Sequence, residues 1–149
     1  MKLIAHRGNS SKAPENTVRS FKKSLLSGFN IIEFDVQLSR DNFPVIFHDE
    51  RLERTTDGKG FLRDHYWNEL KKLDAGEWFG ENFKEEKIPS FDEILKKFSS
   101  NTHLQIEIKS NEENISQIII KSLEKYSLIK NYKQKAYSIP GFSITSFNI

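Results

Sequence analysis

The stretch IIEFDVQLSRDNFPVIFHDE, residues 31–50, decides how the chain is built. Its opening residues alternate. Side chains along a strand point to opposite faces in turn, so Ile32, Phe34 and Val36 share one face while Glu33 and Asp35 share the other. Ser39, Arg40, Asp41 and Asn42 then make a turn, and an apolar run over residues 45–48 ends in His48. A crossover to a parallel neighbour needs a dozen or more residues. This link is far shorter, so geometry alone suggests an antiparallel hairpin.

Upstream, an apolar strand over residues 3–6 runs straight into His6 and Arg7, then Gly8. Asn16-Thr17 open a helix with Val18, Phe21, Leu25 and Leu26 on one face, and Ser27-Gly28 end it. Downstream, residues 49–89 form a long irregular stretch that holds Trp67 and Trp78, with one short helix at 67–73. A loop this long inside a compact domain is usually functional or a small inserted subdomain. Ser90 caps the next helix, with Glu93 three residues on. LQIEIK, residues 104–109, reads as a fourth strand. A helix follows at 112–126, and a last apolar piece spans 142–149. Strands interleaved with helices argue for an α/β architecture with a mostly parallel sheet. The order of elements is that of a βα barrel, which carries its active site at the carboxyl ends of its strands and typically needs ~250 residues. This chain has 149.

Composition removes several function classes. There is no cysteine, so neither a disulfide framework nor a thiolate metal site is possible. The 23 basic and 21 acidic residues are scattered and nearly balanced, which argues against nucleic acid or an anionic membrane as partner. No apolar run approaches the ~20 residues of a membrane span. The apolar run after Lys2 is too short for a signal peptide, so the default location is the cytoplasm.

Chemistry concentrates on the strands. Glu33 and Asp35 side by side in an apolar strand repel each other, and buried they would each cost several kcal/mol unless neutralised. A divalent cation such as Mg²⁺ or Ca²⁺, which prefers oxygen ligands, removes both problems. An isolated Glu-x-Asp fits the wet face of an antiparallel strand better. The fourth strand repeats the pattern, however, with Glu107 and Lys109 on one face and Leu104, Ile106 and Ile108 on the other. Glu107 is a candidate third ligand, and Lys109 a candidate phosphate contact. His6 and His48 end strands beside these carboxylates, where a histidine can take or give a proton near pH 7. His65 and His103 read as structural or surface residues. Two histidines, three carboxylates, Arg7 and Lys109 near strand ends suit phosphodiester cleavage.

These motifs resemble the glycerophosphodiester phosphodiesterases, a TIM-barrel family of the phospholipase C-like phosphodiesterase type. The matching pieces are IAHRGNSSKAPENT (4–17), residues 31–60, ELKKLDAGEWFG (69–80), EKIPSFDEIL (86–95) and LQIEIK (104–109). The family has the short link between its second and third strands and an inserted subdomain after the third. The resemblance implies that His6 and His48 serve as acid and base. It implies Glu33, Asp35 and Glu107 as ligands of Mg²⁺ or Ca²⁺, and Arg7 and Lys109 as phosphate contacts. Glu15 lies in a family motif beside the site. The implied reaction is metal-dependent hydrolysis of a small glycerophosphodiester to glycerol 3-phosphate and an alcohol. The family barrel has eight strands, and SITSFN (143–148) matches the fifth. The expectation is therefore an incomplete barrel of about five strands. Residues 1–149 form the N-terminal part of the phosphodiesterase domain, with 49–89 inserted, and the unclosed sheet invites self-association. Two other readings stay open: a non-catalytic remnant that binds metal or a partner, and a lysophospholipase D-like activity of the same core.

Overall fold

The structure, a computed structural model, describes residues 2–128 and 137–146. Its strands are β1 (Ala5–His6), β2 (Ile31–Leu38), β3 (Pro44–Ile46), β4 (His103–Ile108) and β5 (Gly141–Ser146). Its helices are α1 (Val18–Leu26), α2 (Trp67–Leu70), α3 (Phe91–Phe98) and α4 (Ile115–Lys125). The strands make one sheet in the order β1-β2-β4-β5. The neighbours in that path are parallel, and β3 is paired antiparallel to β2. The path stays open, with β1 and β5 at its edges, as an incomplete barrel requires. Among the described residues no helix is long and apolar enough to cross a membrane. The predicted last apolar piece is borne out as far as Ser146; residues 147–149 lie outside the described residues.

All eight residues of β2 are buried, which excludes the wet-face alternative for Glu33 and Asp35. One face of the sheet, with Ile32, Phe34, Val36, Leu104, Ile106 and Ile108, packs on α1, α3 and α4. Phe21 of α1 touches Phe34 and Phe98, each at 5.7 Å between ring centroids. Fully burying one such side chain stabilises by about 1.5–3 kcal/mol, so this layer holds β2 and β4 in place beneath the opposite, polar face. A second apolar cluster sits under the 49–89 stretch, where Leu52, Leu62, Leu70, Ala75 and Ile88 gather around Val45 and Phe47.

Several expectations shift: α2 ends at Leu70 rather than 73, α4 begins at Ile115 rather than 112, and three further differences bear on the site. Strand one starts at Ala5, not residue 3; its pairing runs only from Ala5 opposite Ile32 to His6 opposite Glu33, and Leu3 is 57% exposed. Leu26, expected on the apolar face of α1, is 87% exposed. At roughly 100° per residue it falls about 140° round the helix from Phe21. The face toward the core is completed instead by the buried Ser20 and Ser24, and the 7–9 loop lies against Ser20, whose carbonyl accepts from the Asn9 N–H. Strand three ends at Ile46, so His48 lies in the loop beyond it.

Candidate active site

The hairpin explains how two distant histidines reach the same edge of β2. β1 runs parallel to β2 and ends with His6 opposite Glu33. β3 runs back along β2, with Pro44 opposite Leu38 and Ile46 opposite Val36, and the Phe47 N–H then donates to the Asp35 carbonyl at 3.0 Å. The two strands therefore approach each other along one edge of β2, from opposite ends, and leave Asp35 at the gap. His6 arrives from one side and His48 from the other. A parallel third strand would have carried His48 away.

Parallel pairing sets the carboxylates side by side. Asp35 is opposite Glu107 in the β2–β4 register, and Glu33, Asp35 and Glu107 offer oxygens that all lie within 4.8 Å of one another. All three residues are buried. One oxygen of each, Glu33 Oε1, Asp35 Oδ1 and Glu107 Oε1, accepts no hydrogen bond. The Lys109 ammonium is ion-paired to Glu107 and lies 3.7 Å from Asp35 Oδ1. Buried carboxylates are costly unless neutralised; Lys109 faces two of these oxygens and leaves Glu33 Oε1 to the cluster, and three such oxygens converging suit a hard divalent cation.

The surrounding groups hold this charge in place. The Arg7 N–H donates to Glu33 Oε2 at 2.9 Å, and His6 Nε2 lies 3.8 Å from the same oxygen. Arg7 Nη1 donates to Glu15 Oε1 at 3.1 Å, while its Nε is 3.2 Å from Asp35 Oδ2, in ion-pair range but off the hydrogen-bond direction. Asn16 reads Asp35 twice: its Nδ2 donates to Oδ2 at 2.8 Å and its Oδ1 accepts from the Asp35 N–H at 3.4 Å. Asn16 takes φ 57°, a left-handed conformation that asparagine tolerates better than most residues. His48 Nδ1 sits 2.6 Å from Asp49 Oδ1.

Electrostatics follows from burial. Desolvation, then the Asp35 and Glu107 charges, push the Glu33 carboxyl up to about 7, against the Arg7 N–H bond that opposes the rise. Desolvation also raises Asp35, held back by the Asn16 hydrogen bond and the His48, Arg7 and Lys109 charges. Burial pushes Glu15 up as well, but the Arg54 and Arg7 contacts outweigh it and leave Glu15 low. Asp49 is drawn down to about 2, chiefly by its Arg54 hydrogen bond. Arg7, Arg54 and Lys109 face five carboxylates here, two more than the three cations balance when all five are ionised.

All seven expected site residues lie around this gap. His6, Arg7, Glu33, Asp35 and Glu107 are linked by contact or register, Lys109 bridges two of the carboxylates, and His48 enters from the loop after β3, next to the Phe47 N–H bond on Asp35. Glu15 joins them through Arg7. Sequence reading missed four others: Asn16, Gln37, Asp49 and Arg54. Gln37 is buried on the polar face of β2, and its Nε2 donates to the Phe47 and Asp49 carbonyls at 3.0 and 2.8 Å, pinning the His48 loop. Its place two residues after Asp35 was the available signal; the partners of the other three depend on tertiary contacts. A cavity of about 430 Å³ opens beside Lys109, lined by Gln37, Glu50, Phe61, Arg63 and Glu112 among others.

The glycerophosphoryl diester phosphodiesterase family model matches residues 6–137. A glycerophosphodiester phosphodiesterase of Caldanaerobacter subterraneus is 41% identical over 98% of the chain, which spans 58% of that relative's length. Two solved structures superpose over 99% of the chain and 58% of their own. The glycerophosphodiester phosphodiesterase of Agrobacterium tumefaciens does so with TM-score 0.86 at 29% identity. A phosphodiesterase of Oleispira antarctica, solved with its product sn-glycerol-3-phosphate, does so with TM-score 0.80 at 37% identity.

Proposed function

The chain belongs to the glycerophosphoryl diester phosphodiesterase family, and from that premise we propose that it carries the metal-dependent hydrolytic site for a glycerophosphodiester, yielding glycerol 3-phosphate and an alcohol. The observation that supports this reading most is the gap on the edge of β2, where two histidines from opposite directions flank three converging carboxylates. A divalent cation held by Glu33, Asp35 and Glu107 would neutralise that cluster and stabilise charge developing on the phosphoryl oxygens. Arg7 and Lys109 supply positive charge beside it. One histidine takes the proton of the attacking oxygen as the new P–O bond forms: water as nucleophile gives glycerol 3-phosphate directly, while the glycerol 2-hydroxyl gives a cyclic phosphodiester that a water then opens to glycerol 3-phosphate. The other gives a proton to the departing alkoxide as the old P–O bond breaks.

Hydrolysis of glycerophosphocholine by the purified chain, with Mg²⁺ or Ca²⁺ and an EDTA control, tests this directly. Metal-dependent release of glycerol 3-phosphate is expected. His48→Ala should lower turnover by roughly 10²–10⁴-fold, the usual share of general acid–base catalysis. Unchanged turnover in that variant ends the assignment of His48. Because the sheet is open and the chain spans 58% of the compared relatives, a second reading competes: a metal-binding chain without turnover. Cation binding by folded protein with no product release favours it.

A further inference from the structure

One side chain spans the two segments that carry the histidines. Arg54 Nη1 and Nη2 donate to Glu15 Oε2 and Oε1 at 2.9 and 2.7 Å, a bidentate fork. The same guanidinium donates through Nε and Nη2 to Asp49 Oδ2 and Oδ1 at 2.5 and 2.9 Å. Glu15 in turn holds Arg7, the residue after His6, and Asp49 holds His48. From these contacts we propose that Arg54 is a positioning residue: it clamps Asp49 so that His48 keeps its hydrogen on Nδ1, and ties the His48 loop to the Glu15–Arg7 segment beside His6.

An ionised carboxylate only accepts, so the 2.6 Å contact to Asp49 requires His48 Nδ1 to be the donor. In the neutral ring Nε2 is then left as the acceptor, ready to take a proton on the side away from Asp49. Asp49 stays ionised because Arg54 holds it there. A lysine at position 54 could not reproduce this, since an ammonium is a point donor while guanidinium is a planar fork matched to carboxylates. A lone exposed ion pair contributes little. Here, however, one guanidinium engages both oxygens of two carboxylates whose side chains are only 13% and 26% exposed. Arg54 is itself rooted by its turn: Leu52 is buried in the second apolar cluster, and the Thr56 N–H and hydroxyl both donate to the Leu52 carbonyl.

Long-range proton–nitrogen NMR of the histidine rings in uniformly labelled protein reads the clamp without needing turnover, with His48 assigned from the His48→Ala spectrum. The wild-type ring is expected as the Nδ1–H form at a pH where it is neutral. Arg54→Gln and Arg54→Lys should both convert it to an exchanging mixture, while the His65 and His103 rings keep their wild-type signals. Turnover then falls by about 10–100-fold, as for other residues that orient a reacting group, with KM unchanged. The turnover arm rests on the function proposed above; the ring arm does not. A mixed ring with unchanged turnover keeps the clamp and removes His48 from the reaction. A wild-type His48 ring in both Arg54 variants overturns the proposal.

Discussion

At the scale of single residues, Glu33 shows how burial becomes a measurable pH dependence. Its carboxyl titrates near 7 in the folded chain, against an ordinary 4.5. Between those values the folded protein keeps a proton that the unfolded chain releases. By linkage, this group makes the metal-free fold less stable as pH rises through that window, and the loss levels off above about 7. A cation at the three carboxylates competes with the same proton. Affinity for Mg²⁺ or Ca²⁺ should therefore rise with pH up to about 7 and then flatten. Titration calorimetry should find binding about tenfold weaker at pH 6 than at pH 8, from the ionised fraction of one such group. Glu33→Gln should abolish that slope. A wild-type affinity that is flat across this range would show that Glu33 is not where the cation competes. The alternation of IIEFDVQL displayed Glu33 and Asp35 on one face, because a strand has a fixed period. Nothing local displayed Asn16 as the partner of Asp35 or Arg54 as the partner of Asp49, because those contacts close loops of 19 and 5 residues whose path is set by packing.

At the scale of elements, the turn from β1 into α1 carries the site, and one glycine makes that turn possible. Gly8 has φ +80°, and a Cβ there would meet Ser20 Oγ at 2.4 Å and Phe21 Cδ1 at 2.7 Å. Ser20 is held in place, since its one hydroxyl hydrogen lies between the Arg7 and Thr17 carbonyls, its oxygen accepts from the Thr17 N–H and its own N–H donates to the Thr17 hydroxyl. Gly8→Ala should destabilise the fold by roughly 2–4 kcal/mol, adding steric clash to left-handed strain. Gly28 has a similar φ of +83° but open space around it, so Gly28→Ala should cost only about 1 kcal/mol. Equal urea midpoints for the two variants would refute the close-packing argument. The element boundaries follow the same division. β2 spans the predicted 31–38 because its alternation is bounded by clear turn residues. β1 is shorter than its apolar run because register with β2, which no local pattern encodes, decides where a strand starts. The hairpin was legible from link length alone, and it is the feature that brings His48 back to Asp35.

At the scale of the whole molecule, the metal-free chain keeps three buried carboxylates together on the polar face of its central strands, β2 and β4, where their repulsion opposes the packing of the opposite face. A cation that binds the folded state and has no such cluster in the unfolded chain stabilises by mass action. At a hundred times its dissociation constant the gain is about 2.7 kcal/mol. For a chain of this size each kcal/mol moves the unfolding temperature by roughly 2–4 °C, so saturating Mg²⁺ or Ca²⁺ should raise it by about 5–11 °C. The shift has to come from the cluster rather than from surface charge. Asp35→Asn and Glu107→Gln relieve part of the repulsion but also take a partner from Lys109, so whatever each does to the metal-free unfolding temperature, each should cut the cation-induced rise to a small remainder. Scanning calorimetry of the wild type and both variants, with cation and with EDTA, separates the two effects. A cation-induced rise that survives in both variants would place the stabilising site elsewhere on the molecule. No rise in the wild type at either cation would mean that Lys109 and Arg7 alone balance the carboxylates, and the cluster would then be an ion-pair network rather than a metal site.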